Sequence, residues 1–361
     1  MKIDMFAHIC PQKFIDVFAK QKVSWEKTVA KTAPANGGSA LYDINARLEV
    51  MYRYEDYVQI LTPTAKQIEA YYDPKDEAYS YLVKTFNDSL AEIVTKYPDR
   101  FLAAVAAVPI NNIDATMKEI DRTINEMGFK GILLETPVFV YDAGRPVDMA
   151  YNYETMKPLD SPEFMPIYET MSKLNLPIWI HPIGQSGVPV YKGEKRGKYV
   201  LSHVFGWPME SAVAMGRLVC SGILNKYPNL KFIIHHCGSA IVPSLAGRIA
   251  NEFDKFKAIG VLKFDQPGEE DPFINKNAAD YFRMFYADTA LYGDTAGLMC
   301  GYDFFGPEHI LFGTDYPYDL AGGDKFIKKT IDAVYKMNIS DADKNKIFEE
   351  NAKRIMRLDV K

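Results

Sequence analysis

The stretch of this 361-residue chain that most constrains its fold is LKFIIHHCGSAIVPSLAGR, from Leu230 to Arg248. Leu230 to Ile234 is a short, mostly apolar run, the mark of a strand buried on both faces, and it stops at His235, His236, Cys237 and Gly238. If the strand belongs to a parallel α/β barrel, its C-terminal end opens into the face where such barrels keep their chemistry. An imidazole placed there can move protons near neutral pH, and Arg248, one short segment on, adds a fixed positive charge. Taken alone, the two histidines could equally be hydrogen-bonded core residues. The remainder of the chain weighs against that reading.

The same grammar recurs along the sequence. Lys2 to Ile9 reads as a strand closing on His8, Pro177 to His181 (PIWIH) as another closing on His181, and Ile310 to Asp315 (ILFGTD) as a third closing on Asp315. Further strands are expected at Tyr57 to Leu61, Phe101 to Pro109, Gly131 to Glu135 and Arg283 to Asp288. Between them lie helical patterns at Arg47 to Tyr57, Asp76 to Lys96, Asn112 to Met127, Pro162 to Leu174, Glu210 to Ser221 and after Pro243. Helices over Asp319 to Met337 and Ala342 to Leu358 close the chain. Strand–helix units in series predict a mostly parallel sheet, and their number fits a closed (β/α)8 TIM barrel in a single domain over residues 1–361. Three stretches break the rhythm, near 11–42, 138–157 and 184–198, and are expected as loop insertions over the C-terminal face. The third is Gly-rich and basic, suited either to an anion or to solvent.

Composition narrows the function classes. Hydrophobic residues at 48%, charged residues at 25% and a net charge of -5 describe an ordinary globular chain. No basic run invites nucleic acid, and no membrane class is supported. The chain starts directly on the strand-like MKIDMF, without a leader pattern, so a cytoplasmic location is expected. The four cysteines, Cys10, Cys220, Cys237 and Cys300, form no CxxC pair and read as free buried thiols. Cys237 beside His236 could act as a nucleophile, but the motif that usually accompanies a hydrolytic thiol is missing.

His8, His181, His236 and Asp315 all fall at or just past the C-terminal end of an expected strand, which points to one convergent site at one rim. Two imidazoles and a carboxylate suit a divalent ion such as zinc, manganese or iron, with positions left for water or substrate. Such an ion lowers the pKa of bound water or holds a substrate oxyanion. Phe6, two residues before His8, faces the same way in a strand.

KPLDSPEFMPIYE from Lys157, LPIWIHP from Leu176, YPNLKFIIHHCGSAIVPSLAGR from Tyr227 and ILFGTDYPY from Ile310 together resemble the amidohydrolase-related family of aminocarboxymuconate semialdehyde decarboxylase and γ-resorcylate decarboxylase. RLEVMYRYEDYVQIL from Arg47 matches more loosely, and the likeness covers nearly the whole chain. The resemblance implies that His181 and Asp315 are metal ligands and that His236, of the H-x-G motif, is the acid/base residue. It implies substrate-carboxylate arginines at Arg47 and Arg248, the second reaching a neighbouring subunit, hence a homodimer or dimer of dimers. His235 stands where the family usually has an apolar or small residue; parity within a strand predicts that only one of His235 and His236 faces the site. Phe6 and His235 are taken as substrate-contacting residues.

The first strand departs from the family pattern. Relatives carry an aspartate, one residue and then H-x-H, or E-x-A or E-x-H; here the stretch is Asp4, Met5, Phe6, Ala7, His8. Phe6 cannot bind a metal, which leaves His8, His181 and Asp315, with Glu135 as a possible extra oxygen donor. The reading that follows is a zinc- or manganese-dependent nonoxidative decarboxylase of a hydroxy-substituted aromatic or enoic carboxylic acid. Two alternatives stay open: a metal-dependent hydrolase or hydratase of a small ester, lactone, amide or unsaturated acid, and a metal-free catalyst or binding protein on the same scaffold.

Overall fold

The computed structural model describes residues 1–21, 38–64, 68, 71–141, 156–183, 198–259 and 276–360. Its strands in chain order are β1 (Lys2–Ile9), β2 (Tyr57–Pro63), β3 (Phe101–Ala104), β4 (Ile132–Thr136), β5 (Val138–Phe139), β6 (Met156–Lys157), β7 (Ile178–Pro182), β8 (Phe232–Ile234), β9 (Tyr286–Asp288) and β10 (Ile310–Leu311). β1, β2 and β3 pair in parallel in that order, and so do β4, β7, β8, β9 and β10. Two seams join the halves. The Ala106 amide donates to the Gly131 carbonyl at 2.9 Å and Leu133 to Ala106 at 2.9 Å, which carries β3 onto β4. At the other seam Met5 donates to the Phe312 carbonyl (2.9 Å) and His8 to that of Tyr316 (2.7 Å), which carries β10 back onto β1. The eight parallel strands therefore close into the expected (β/α)8 barrel.

Burial on both faces explains why these strands read as apolar runs rather than as alternating ones. Ile3, Met5, Phe6, Val58, Ile60, Val105, Leu133, Trp179, Ile233 and Leu311 fill the barrel interior, and Ile355 and Met356 of the last helix, Asn351–Met356, close its floor. A second apolar layer, with Phe14, Phe86, Leu134, Tyr168, Met215 and Phe305, lies between strands and helices. Asp76 caps the long helix Glu77–Lys96 by accepting from the Ala78 amide. A helix that the sequence pattern did not suggest, Thr295–Phe305, connects β9 to β10; the Asp294 carboxylate accepts from the Ala296 and Gly297 amides at its start. It is apolar nearly all round, so its spacing carries no amphipathic signal.

The expected insertions are partly visible. The first contains helix Gln12–Gln21 and a short 3-10 turn, Gly38–Leu41, and the second starts and ends in the antiparallel pair β5/β6. Residues 22–37, 142–155 and 184–197 lie outside the described part. Among the described residues no helix is long and apolar enough to cross a membrane.

A buried polar network crosses the β10/β1 seam. Asp4 accepts from the Phe6 and Thr314 amides at 3.1 Å each and from the Tyr57 and Thr314 hydroxyls. Gln59 donates to Tyr57 Oη at 2.9 Å and accepts from Arg47 Nη1 at 2.6 Å. Arg47 also donates to the carbonyls of Ala40 and His8, and its guanidinium lies 4.6 Å over the Tyr316 ring. This corrects the expectation that Arg47 grips a substrate carboxylate. The side chain is fully buried, and its fork holds the backbone of His8 and the segment beside Asp315.

Burial raises the Asp4 carboxyl from 3.8 to about 6, against the hydrogen bonds that pull it down. A carboxyl whose folded value exceeds its unfolded one contributes stability that is complete below the unfolded value and lost as pH rises through the folded one. A shift of about two pH units corresponds to about 3 kcal/mol. Asp4→Asn, which cannot titrate, is expected to flatten the decline in unfolding free energy between about pH 4 and pH 7, read from urea midpoints. An unchanged slope would remove Asp4 as its source.

Candidate functional site

His8 near the end of β1 and His181 in β7 project into the mouth of the barrel, His181 following the interior residue Trp179 by two positions. His235 continues the interior parity of Ile233. The imidazole rings converge, with centroids 4.9 Å apart for His8 and His181, 5.2 Å for His181 and His235 and 3.9 Å for His235 and His236. Phe6 stacks on His235 at 3.8 Å with an interplanar angle of 21°.

His236 also faces the site, which corrects the expectation that the strand would turn one histidine away. The strand ends at Ile234, and the backbone then enters a left-handed run, with φ of 60° at His236, 56° at Cys237, 63° at Gly238, 64° at Ser239 and 56° at Ala240. Period-two alternation does not apply there. Each non-glycine residue in this conformation costs about 1–2 kcal/mol, so other contacts must hold the turn. Asp288 at the end of β9 does so: its Oδ1 accepts from the Cys237 amide at 3.1 Å and the Ala290 amide at 2.9 Å, while Oδ2 binds His235 Nδ1. Asp288 is a functional residue that the sequence reading missed, although it closes an expected strand just as Asp315 does.

Asp315 lies across from Asp288. Its Oδ1 is 3.1 Å from His235 Nε2 and 3.4 Å from His8 Nε2, and its Oδ2 accepts from the Tyr292 hydroxyl at 2.9 Å. Tyr292, in the loop after β9, carried no motif by which sequence could single it out. Burial would strip the His235 proton, but the two carboxylates overrule it and raise the imidazole to about 9. Burial and the adjacent His235 lower His236 to about 4, and burial lowers His8 and His181 as well. The paired imidazoles hold Asp315 well below the carboxylate range although burial opposes it. Burial thus favours the neutral form of His8, His181 and His236, while the neighbouring carboxylates favour the charged form of His235.

This donor set fits a divalent cation. Ligand atoms of His8, His181 and His235 lie within 4.8 Å of one another, and so do those of His235, His236 and Asp315. Among the described residues, buried His8 has no well-formed hydrogen bond at either ring nitrogen, its Nε2 lying 3.4 Å from Asp315 Oδ1, an expensive condition for an imidazole with no further partner. Trp207 stands 5.7 Å from His181 by ring centroids, and among the described residues its buried indole N–H has no acceptor. Arg248 is exposed on the helix Ala246–Ala258, whereas Glu135 pairs in register with His181 across the parallel strands β4 and β7 and so shares its barrel-facing side. Cys237 is fully buried, and burial raises its thiol far above the range of a reactive thiolate.

The sequence pattern of the family described as Amidohydrolase matches residues 3–358. The γ-resorcylate decarboxylase of Rhizobium sp. (strain MTP-10005) is 29% identical over 325 residues, covering 88% of this chain and 89% of that protein. The 2-amino-3-carboxymuconate-6-semialdehyde decarboxylase of Dictyostelium discoideum is 24% identical over 376 residues, covering 99% and 92%. Among solved structures, a dihydroxybenzoic acid decarboxylase from Polaromonas sp. JS666, bound to manganese and the inhibitor 2-nitroresorcinol, superposes with a TM-score of 0.74 at 26% identity, covering 100% of this chain and 98% of that one.

The turn carrying His236 is packed with no spare room: a Cβ on Gly238 would lie 2.4 Å from the Phe305 ring. Gly238→Ala combines positive-φ strain with overpacking and is expected to cost about 2–4 kcal/mol. Thermal unfolding checks it; an unshifted melting temperature would show that the turn tolerates a side chain.

Proposed function

The chain belongs to the amidohydrolase family, and on that premise we propose that it is a metal-dependent decarboxylase releasing carbon dioxide, without an oxidant, from a hydroxy-substituted aromatic or enoic carboxylic acid. The observation that carries this reading is the overlap of two donor groups, His8 with His181 and His235, and His235 with Asp315 and a neutral His236. The likeness to full-length decarboxylases supports it. A zinc or manganese ion held by His8, His181 and Asp315 would polarise the substrate carboxylate and its neighbouring oxygen.

The chain's own groups handle the proton. His236 Nδ1 is 3.2 Å from the Ala290 carbonyl, which can only accept, so Nδ1 carries a hydrogen and Nε2 is left to exchange protons. The charge of a bound carboxylate favours protonation of Nε2. That proton moves to the carbon bearing the carboxylate, the bond to the carboxylate breaks, and its electron pair returns to the ring or diene as carbon dioxide leaves. Water then reprotonates His236. Tyr292 fixes one oxygen of Asp315, and the indole N–H of Trp207, without an acceptor among the described residues and on a ring 5.7 Å from that of His181, is proposed to donate to a substrate oxygen.

The proposed assembly is a homodimer. Leu201, Phe205, Met209 and Val213 repeat every four residues, and all four are exposed, with Val204 beside them. Monomers rarely leave such a stripe uncovered. Arg248 is proposed to meet a substrate carboxylate in the neighbouring subunit.

The test of function is a panel of hydroxybenzoates with a hydroxyl next to the carboxylate, followed by carbon dioxide release and by deuterium uptake from heavy water at the vacated carbon. Turnover should vanish on chelation and return with manganese, and His236→Ala should lower it by about 10²–10⁴-fold. Water oxygen entering a lactone or alkene in place of carbon dioxide release would favour the hydrolase or hydratase, and turnover surviving chelation a metal-free catalyst. Phe205→Glu with Met209→Glu is expected to halve the mass measured by light scattering; an unchanged mass would place the subunit contact elsewhere.

A further inference from the structure

We propose that in this chain His235 is itself a metal ligand, taking the coordination place that Phe6 leaves open, and that Asp288 orients it for that task. The inference rests on the metal-dependent reading above and assigns one more residue to it. Its starting point is position: among the described residues, His235 is the one that belongs both to the donor group with His8 and His181 and to the group with His236 and Asp315. His235 Nε2 approaches Asp315 Oδ1 at 3.1 Å, the same oxygen that His8 Nε2 approaches at 3.4 Å. Donors from the ends of β1, β8 and β10 therefore meet around one carboxylate oxygen.

Phe6 explains why the donor comes from β8. It shares the interior of β1 with His8, and its ring lies flat against His235. A phenyl group offers no lone pair, so the position nearest to His235 on β1 contributes packing and no ligand. The stacked ring limits rotation of the imidazole and keeps water from one of its faces. Asp288 supplies the remaining constraint, since Oδ2 engages Nδ1–H and thereby directs Nε2 toward Asp315 and His8; the ion displaces the Nε2 proton to solvent and takes its place beside Asp315. A carboxylate behind the distal nitrogen is the usual support for a metal-bound imidazole. His236 is placed differently: its Nδ1 is tied to the Ala290 carbonyl, and it is not part of the donor group with His8 and His181. The adjacent histidines thus divide the work, His235 holding the ion and His236 moving the proton.

The experiment uses the full chain loaded with manganese(II) alone. Pulsed electron paramagnetic resonance with ¹⁵N-histidine counts coupled imidazoles, and competition with a chromophoric chelator gives the affinity. The wild type should show three imidazole couplings. His235→Gln should show two and bind manganese about a hundredfold or more weakly, whereas His236→Gln should keep three and stay within a few-fold of the wild type. Asp288→Asn should weaken binding by about 10–100-fold and alter the coupling of one imidazole, a signature that a merely structural role would not produce. If His235→Gln fails to fold, the wild-type count decides. Two couplings in the wild type, or native affinity in His235→Gln, would overturn the inference and leave metal dependence standing. A wild type that takes up no manganese would overturn both.

Discussion

The site depends on one buried imidazole held between two carboxylates. His235 is completely enclosed, and a charged ring in that position survives only if its desolvation is offset by close partners. Asp288 and Asp315 provide them from β9 and from just beyond β10, so the pairing exists only when β8, β9 and β10 lie side by side in register. The His235 pairing is therefore built within one half of the sheet, and closure at the β10/β1 seam adds His8 to it. A cation beside Asp315 would take the place of the proton on His235 Nε2 and leave the Nδ1 contact with Asp288 intact.

The second polar cluster, at the β10/β1 seam, supports the first from behind. Asp4, Tyr57, Gln59, Thr314 and Arg47 form a continuous chain of hydrogen bonds, and Arg47 ends it on the His8 carbonyl and the face of Tyr316. Satisfied networks of this kind rigidify the groups they touch. Here those groups are the backbones beside His8 and Asp315, so buried Arg47 helps to set where both side chains stand. The left-handed run from His236 to Ala240 is the strained counterpart of this rigidity. Its backbone is held by Asp288, so one carboxylate orients His235 and stabilises the turn that presents His236.

This coupling bears on how the family scaffold tolerates the loss of a donor on its first strand. Phe6 removes a metal-binding position, yet the void is filled by an aromatic ring packed on His235, and the interior stays dense. A barrel mouth lined from eight strands can supply a donor from one strand in place of another, because the side chains of several strands reach the same few ångströms.

From sequence alone the barrel was legible, since buried parallel strands read as apolar runs and their alternation with helical patterns leaves few other architectures. The positions of His8, His181 and Asp315 were legible too, because a titratable residue that closes a buried strand has one rim to face. Asp288 obeyed the same rule and was passed over for want of a motif, and the apolar helix Thr295–Phe305 lacked the periodicity that announces a helix. What only the tertiary structure decided was orientation. Strand parity set His235 against His236, and a left-handed turn held by a carboxylate 51 residues away in sequence brought both to the site. Arg47 looked like a substrate arginine until burial committed it to the His8 carbonyl. Periodicity encodes which element a residue belongs to, but the direction of a side chain beyond the element's end is set by partners distant in sequence, and those partners meet only when the strands pair.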